Sequence, residues 1–87
     1  MQYIKVIATG DVQGVGYRAY ARACAFQFEI QGYAKNMEDG TVELEAAGEA
    51  EQLERWLDKI GQYPTQEVTL QVKESDQINA WVGFNIL

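Results

Sequence analysis

The segment of residues 10–18, Gly-Asp-Val-Gln-Gly-Val-Gly-Tyr-Arg, constrains the fold of this chain more than any other stretch. Three glycines fall within seven residues, between an apolar run and an alanine-rich run. Glycine permits positive φ and lets the backbone approach a ligand closely. Arg18 stands where the next helix is predicted to begin, although the dipole of a helix already places partial positive charge at that end. The loop, the helix N-terminus and the guanidinium together predict a bound anion, most simply a phosphate.

A second interpretation of the same segment stays open at this point. Residues 10–18 also fit a plain glycine-rich connector between a strand and a helix, with the side chain of Arg18 in solvent. The anion site is favoured because a cation at a helix N-terminus costs free energy unless a negative group compensates it.

Size and charge limit the classes of protein to which the chain can belong. Its 87 residues predict one domain over residues 1–87, with a core large enough to fold alone. Thirteen acidic residues against seven basic ones give a net charge of −6 and no cluster of Lys and Arg, which argues against a nucleic-acid partner. No apolar run approaches 18 residues and no secretory signal is visible, so we expect no membrane span and a cytoplasmic monomer.

The cysteine and histidine content restricts the chemistry further. The single cysteine excludes an internal disulfide and any cysteine-based metal site. The chain has no histidine, which excludes common zinc geometries and acid–base catalysis by histidine. The composition therefore excludes these metal sites, and an enzyme of this composition has to work without an imidazole.

Two helices are predicted from apolar stripes at helical spacing, over residues 18–28 and 49–60. The stripe of the first helix consists mostly of small residues, which allow close packing on a sheet. The stripe of the second helix consists of larger apolar residues. Cys24 belongs to the first stripe, so a small buried hydrophobe is favoured over a reactive thiol. The members of the two stripes are Ala21, Cys24, Ala25 and Phe28, and then Leu53, Trp56, Leu57 and Ile60.

Alternating apolar and polar residues predict the strands. Strand patterns cover residues 3–9, 30–36, 41–47, 67–73 and 81–87, and residues 74–80 are polar and predicted to form a surface loop. An Asp-Gly pair at 39–40 predicts a hairpin turn between the second and third strands. The order predicts an α+β, ferredoxin-like βαββαβ sandwich: an antiparallel sheet with two helices on one face, plus a short C-terminal strand at the sheet edge.

Residues 14–19 also match the dinucleotide fingerprint G-x-G-x-x-A, but the context contradicts a nucleotide site. That site needs parallel strands at a switch point, whereas the strand after the first helix is predicted to turn straight back through Asp39 and Gly40. The chain is also too short for a doubly wound sheet. No Gly-Lys-Ser/Thr follows the glycines, so the phosphate-loop pattern of the nucleoside triphosphatases is absent.

Asn36 is the second candidate residue, because asparagine is disfavoured inside strands and here ends one. An Asx-type turn, in which the side chain caps local backbone, is the alternative to a functional role. Two segments of the chain closely resemble the two signatures of the acylphosphatases. The first is residues 10–18, and the second is residues 32–43 (Gly-Tyr-Ala-Lys-Asn-Met-Glu-Asp-Gly-Thr-Val-Glu), which Gly48 follows. The V-Q-G-V-G-aromatic-R core is specific at that spacing from N-x-x-D-G-x-V-E, and the resemblance covers essentially the whole chain.

The resemblance implies an activity and a set of site residues. Acylphosphatases hydrolyse carboxyl-phosphate mixed anhydrides to a carboxylate and inorganic phosphate, without a metal or cofactor. Arg18 matches the arginine that binds the substrate phosphate, and Asn36 matches the asparagine that positions the attacking water. Backbone N–H groups are expected to assist Arg18 in binding phosphate, and they belong to Gln13, Gly14, Val15, Gly16 and Tyr17. Inorganic phosphate or sulfate is the expected competing anion.

Three positions depart from the pattern of the family. Asp11 stands where a basic or neutral polar residue is expected, and its charge is expected to weaken phosphate binding. Tyr17 replaces the more usual phenylalanine. Glu29 stands where glycine often ends the first helix, and a left-handed conformation there costs roughly 1 kcal/mol. A non-catalytic anion-binding module or an accessory domain on the same fold is the alternative function.

Overall fold

The computed structural model describes residues 1–65, 67–75 and 81–87. The order of helices and strands along the chain matches the prediction. The elements are β1 (Gln2–Thr9), α1 (Tyr17–Gln27), β2 (Gln31–Asn36), β3 (Val42–Gly48), α2 (Ala50–Ile60), β4 (Thr69–Glu74) and β5 (Phe84–Ile86).

One sheet contains the five strands in the order β4-β1-β3-β2-β5. β1 pairs antiparallel with β3 and β4, and β3 pairs antiparallel with β2. This four-stranded arrangement confirms the ferredoxin-like α+β prediction. β5 adds to the edge of β2 in parallel, so the complete sheet is mixed rather than wholly antiparallel.

The core lies between one face of the sheet and the two helices. Both predicted helical stripes point into it, and Cys24 is buried and free, as expected for a small hydrophobe. Trp56 is fully buried and its indole N–H donates to the carbonyl oxygen of Ala21, which ties α2 to α1. Each helix has 11 residues, and within the described residues neither is long and apolar enough to cross a membrane.

The last two strands differ from the predicted bounds. β4 begins at Thr69 and extends through Glu74, which was predicted to lie in a surface loop. Residues 76–80 of that predicted loop lie outside the described residues. β5 is confined to three residues because Gly83, with φ 69°, turns the chain just before the strand.

The sheet topology brings three distant segments to one edge. β1 and β2 both run antiparallel to β3, and β5 runs parallel to β2, so β1, β2 and β5 end at the same edge of the sheet. The glycine-rich loop leaves the end of β1, Asn36 is the last residue of β2, and Leu87 follows the end of β5. These segments therefore meet where α1 begins.

Candidate active site

A small cavity of about 160 Å³ opens at this edge of the sheet. Its volume is below the roughly 300–1,000 Å³ of pockets that enclose drug-sized ligands, so a small group fits it better. Among the residues that line it, all of them described by the structure, Arg18 alone carries a charge. The lining residues are Val12, Gly14, Gly16, Tyr17, Arg18, Ala19, Asn36 and Ile86.

The loop before α1 adopts a conformation that depends on glycine. Gly14 and Gly16 have φ values of 77° and 79°, a region in which a Cβ atom is strained. Gly16 is the N-cap residue and supplies no capping side chain. The first helical hydrogen bond runs from the N–H of Tyr20 to the carbonyl of Gly16, so the N–H groups of residues 17–19 precede the helical ladder. This end of α1 can therefore donate to an anion.

Arg18 lies in the first turn of α1, and its side chain forms a hydrogen bond with the residue that follows β5. Its Nη1 atom donates a hydrogen bond of 2.9 Å to the carbonyl oxygen of Leu87. A guanidinium carries five N–H groups in a planar fork, so this one bond restrains the group and leaves other donors available. The sequence-based interpretation missed Leu87, because a contact across 69 residues leaves no local pattern.

Asn36 lines the same cavity as Arg18, from the end of β2. Its Oδ1 atom is buried and accepts no hydrogen bond from the described residues. The Asx-type turn that was the alternative role for Asn36 is made by Asp39 instead, whose Oδ1 accepts from the N–H and the hydroxyl of Thr41. The side-chain oxygen of Asn36 is thus without a partner among the described residues, in a residue that lines the cavity.

Gln13 and Val15 belong to the loop but do not line the cavity. The side chain of Gln13 crosses to the hairpin after β2, where its Nε2 donates to the carbonyls of Met37 and Thr41 at 2.8 Å each. The side chain of Val15 packs against the core, and its carbonyl accepts a hydrogen bond of 2.9 Å from the hydroxyl of Tyr63. Sequence reasoning assigned only backbone N–H groups to these two residues.

Tyrosine side chains support the loop from the side of α2. Tyr63 stacks on Tyr20 with ring centroids 4.2 Å apart. Tyr17 is buried, and its hydroxyl donates to the carbonyl of Ile60 at 2.8 Å. Burial also raises the pKa of the Tyr17 phenol, which therefore stays neutral. The extra hydroxyl of Tyr17, relative to the expected phenylalanine, is thus accommodated by a backbone acceptor.

Other charged residues lie outside the cavity. Asp11 is exposed and is not among the lining residues. Glu29, with φ 56°, follows the opposite end of α1 and has the left-handed conformation for which glycine was expected. Within the described part of the chain, no three Cys, Asp or Glu side chains converge in a way that would hold a metal ion.

Fold and cavity together define a ferredoxin-like α+β domain with a small cavity at a helix N-terminus, lined by one cationic side chain. Comparison with known proteins identifies the family. The acylphosphatase family model matches residues 4–86, and the chain belongs to this family. It is an enzyme of the acylphosphatase class, whose reaction is the hydrolysis of acyl phosphates.

The similarity extends over nearly the full length of two acylphosphatases. The chain is 36% identical to the acylphosphatase of Bacillus licheniformis, over 99% of this chain and 97% of that protein. It superposes on the crystal structure of the Bacillus subtilis acylphosphatase with a TM-score of 0.90 and 30% identity, covering 100% of this chain and 99% of that one. It also resembles a part of full-length HypF, with a TM-score of 0.85 and 26% identity, covering 99% of this chain and 12% of HypF.

Proposed function

We propose that Arg18 and the glycine-rich loop bind the phosphate of an acyl phosphate, and that Asn36 positions the water that attacks it. One observation carries the proposal: Arg18 and Asn36 come from different elements but line a single small cavity, together with Gly14 and Gly16. The lining contains one cation, Arg18, and an amide, Asn36, whose oxygen has no partner among the described residues. Residues 1–87 would work as one unit, because segments from Val12 to Ile86 all contribute to the lining.

Phosphate binding follows from the donors at the start of α1. The N–H groups of residues 17–19 precede the helical ladder, and the loop before them can turn its own N–H groups inward because Gly14 and Gly16 have positive φ. The guanidinium of Arg18 adds charge-assisted hydrogen bonds to phosphate oxygens. These donors would stabilise the charge that spreads over the equatorial oxygens in phosphoryl transfer. Inorganic phosphate or sulfate would compete for the same donors.

Water attack requires positioning more than activation. The carboxylate of an acyl phosphate is a good leaving group, so neither a covalent nucleophile nor a metal hydroxide is needed. Oδ1 of Asn36 would accept a hydrogen bond from water and hold its oxygen toward phosphorus. The new bond forms between the water oxygen and phosphorus as the bond from phosphorus to the acyl oxygen breaks, and a phosphate oxygen takes the proton of the water.

No metal ion is required by this mechanism. Arg18 and the backbone N–H groups supply the positive charge that a metal otherwise places on the phosphoryl oxygens. The reaction is therefore expected to be insensitive to chelation.

The decisive experiment is hydrolysis of benzoyl phosphate by the wild type and by Asn36→Ala, with and without EDTA. We expect wild-type turnover to be unaffected by EDTA. Asn36→Ala should lower kcat on the order of 100-fold, while the inhibition constant of inorganic phosphate changes less than about threefold. A loss of phosphate affinity as large as the loss of kcat would contradict the water-positioning role.

Gln52 offers a matched control for Asn36. Its Oε1 is also buried without a partner among the described residues, but it lies on α2 and does not line the cavity. Gln52→Ala should therefore hydrolyse benzoyl phosphate at nearly the wild-type rate. If wild type bound phosphate but released no benzoate, the chain would be an anion-binding module, and the proposed function would be wrong.

A further inference from the structure

We propose that the side chain of Gln13 is a positioning residue that sets the place of Asn36 relative to the phosphate loop. The inference rests on the proposed function, and it assigns to Gln13 a second role beyond the backbone N–H expected to contact phosphate. Its basis is a pair of hydrogen bonds that joins the two halves of the site.

The contact is made by one atom and two acceptors. Nε2 of Gln13 donates to the carbonyls of Met37 and Thr41, at 2.8 Å in each case. The same two carbonyls close the hairpin turn, because the N–H of Met37 donates to Thr41 at 2.9 Å and the N–H of Gly40 donates to Met37 at 3.3 Å. The amide of Gln13 therefore caps the turn, and both of its N–H groups are used.

The position of this contact in the chain makes it a link across the cavity. Gln13 directly precedes Gly14 and Met37 directly follows Asn36, and both Gly14 and Asn36 line the cavity. Neither the loop nor the turn belongs to a strand or helix at these points. A half-buried hydrogen bond is less exposed to competition from water than one on the surface. The link therefore limits the relative motion of two irregular segments.

Such a link acts on catalysis through geometry. The phosphate would contact backbone N–H groups and Arg18, whereas the side chain of Gln13 points away from the cavity to the hairpin turn. Displacing Asn36 by a fraction of an ångström would move the held water away from the line of attack, and misplacements of about 1 Å can cost on the order of 100-fold in rate. Loss of the link should thus lower kcat more than it lowers phosphate affinity.

The test is a double-mutant cycle between Gln13→Met and Asn36→Ala. Methionine keeps the length of the side chain and removes both N–H donors. We expect Gln13→Met to lower kcat for benzoyl phosphate about tenfold, with the phosphate inhibition constant changed less than about threefold. In the Asn36→Ala background the same substitution should change kcat less than about twofold. The amide side chain that Gln13 is proposed to position is absent there.

Two results would overturn the inference. One is an equal loss of kcat from Gln13→Met in both backgrounds, and the other is a loss of phosphate affinity as large as the loss of kcat. Failure of the proposed function looks different, since Asn36→Ala would then keep wild-type kcat. If Gln13→Met did not fold, Gln13→Leu would carry the same cycle, because it also removes both N–H donors and adds no charge.

Tyr63→Phe is the matched control for a bond that holds the loop from the other side. The hydroxyl of Tyr63 donates to the carbonyl of Val15 and makes no contact with the hairpin turn in the described structure. Its removal should change kcat by the same factor with or without the Asn36→Ala substitution. Coupling of Tyr63 to Asn36 as strong as that of Gln13 would show a general loosening of the loop and contradict a specific role for Gln13.

Discussion

The Nη1 atom of Arg18 donates a hydrogen bond of 2.9 Å to the carbonyl oxygen of Leu87, which follows the last strand of the sheet. The bond links the first turn of α1 to a residue 69 positions away. It restrains the guanidinium before any ligand binds, so less side-chain entropy is lost when phosphate binds. Parallel addition of β5 to β2 is what brings Leu87 to this end of the sheet.

Substitution of Arg18 tests whether the planar fork, and not charge alone, binds phosphate. Arg18→Ala should lower kcat/KM for benzoyl phosphate by about 100- to 1,000-fold, the usual effect of removing one preorganised donor. Arg18→Lys should also be strongly impaired, because an ammonium cannot both hold the carbonyl of Leu87 and make a bidentate contact. Steady-state kinetics and phosphate inhibition measure both effects. Near-wild-type activity of Arg18→Lys would contradict a bidentate contact.

Asp11 provides a second test of the anion site. It is exposed and directly precedes Val12, which lines the cavity. Asp11→Asn should tighten phosphate inhibition about twofold at low salt, the size expected for exposed charges, and the gain should shrink as salt is added. Glu49→Gln makes the same change of charge after β3, at the opposite edge of the sheet, and should have no effect. A salt-independent gain would point to a cause other than charge.

The fold was predictable because the signals that specify it are local. The stripe that contains Trp56 and the strand alternation are apolar periodicities within single elements. The ferredoxin-like arrangement followed from the order of these elements and the Asp-Gly turn at Asp39 and Gly40. A short final strand was also predicted, but its parallel direction and its restriction to three residues were not predictable, since they depend on the turn at Gly83 and on pairing with a distant strand.

The candidate site was predictable only in part, for the same physical reason. Arg18 and Asn36 stand in short motifs, so the pattern marks them, and the structure brings both to one cavity. The side-chain bond of Gln13, the support from Tyr63 and the contact of Leu87 each join residues far apart in sequence. Their chemistry uses backbone carbonyls as acceptors. Every residue has a carbonyl, so the identity of the acceptor residue carries no signal.

The turn after Asn36 gives a prediction about pH. Hydrogen bonds from the hydroxyl and the N–H of Thr41 hold the pKa of the Asp39 carboxyl below its ordinary value. Since the pKa is lower in the folded state, the bond stabilises the fold above the ordinary Asp pKa of about 3.9, and this stability is lost as the pH falls through the lowered pKa. The free energy of unfolding of wild type minus that of Asp39→Asn should therefore be constant between about pH 5 and 7 and shrink below pH 4.

Urea unfolding at several pH values measures that difference. Thr41→Val removes the hydroxyl donor and retains the backbone N–H, so the same comparison made in Thr41→Val should show a weaker pH dependence. An undiminished pH dependence in that background would show that the hydroxyl of Thr41 does not lower the pKa of Asp39.

Glu29 is the position at which a substitution should stabilise the fold. Its φ of 56° places a residue with a Cβ in the left-handed region, just after α1. Glu29→Gly should raise the free energy of unfolding by about 1 kcal/mol, because the strain is relieved. Glu29→Ala keeps the Cβ and removes the charged part of the side chain near the helix C-terminus, so it separates strain from the dipole effect. Urea unfolding measures both variants, and an equal gain from Glu29→Ala would mean that charge, not strain, sets the stability here.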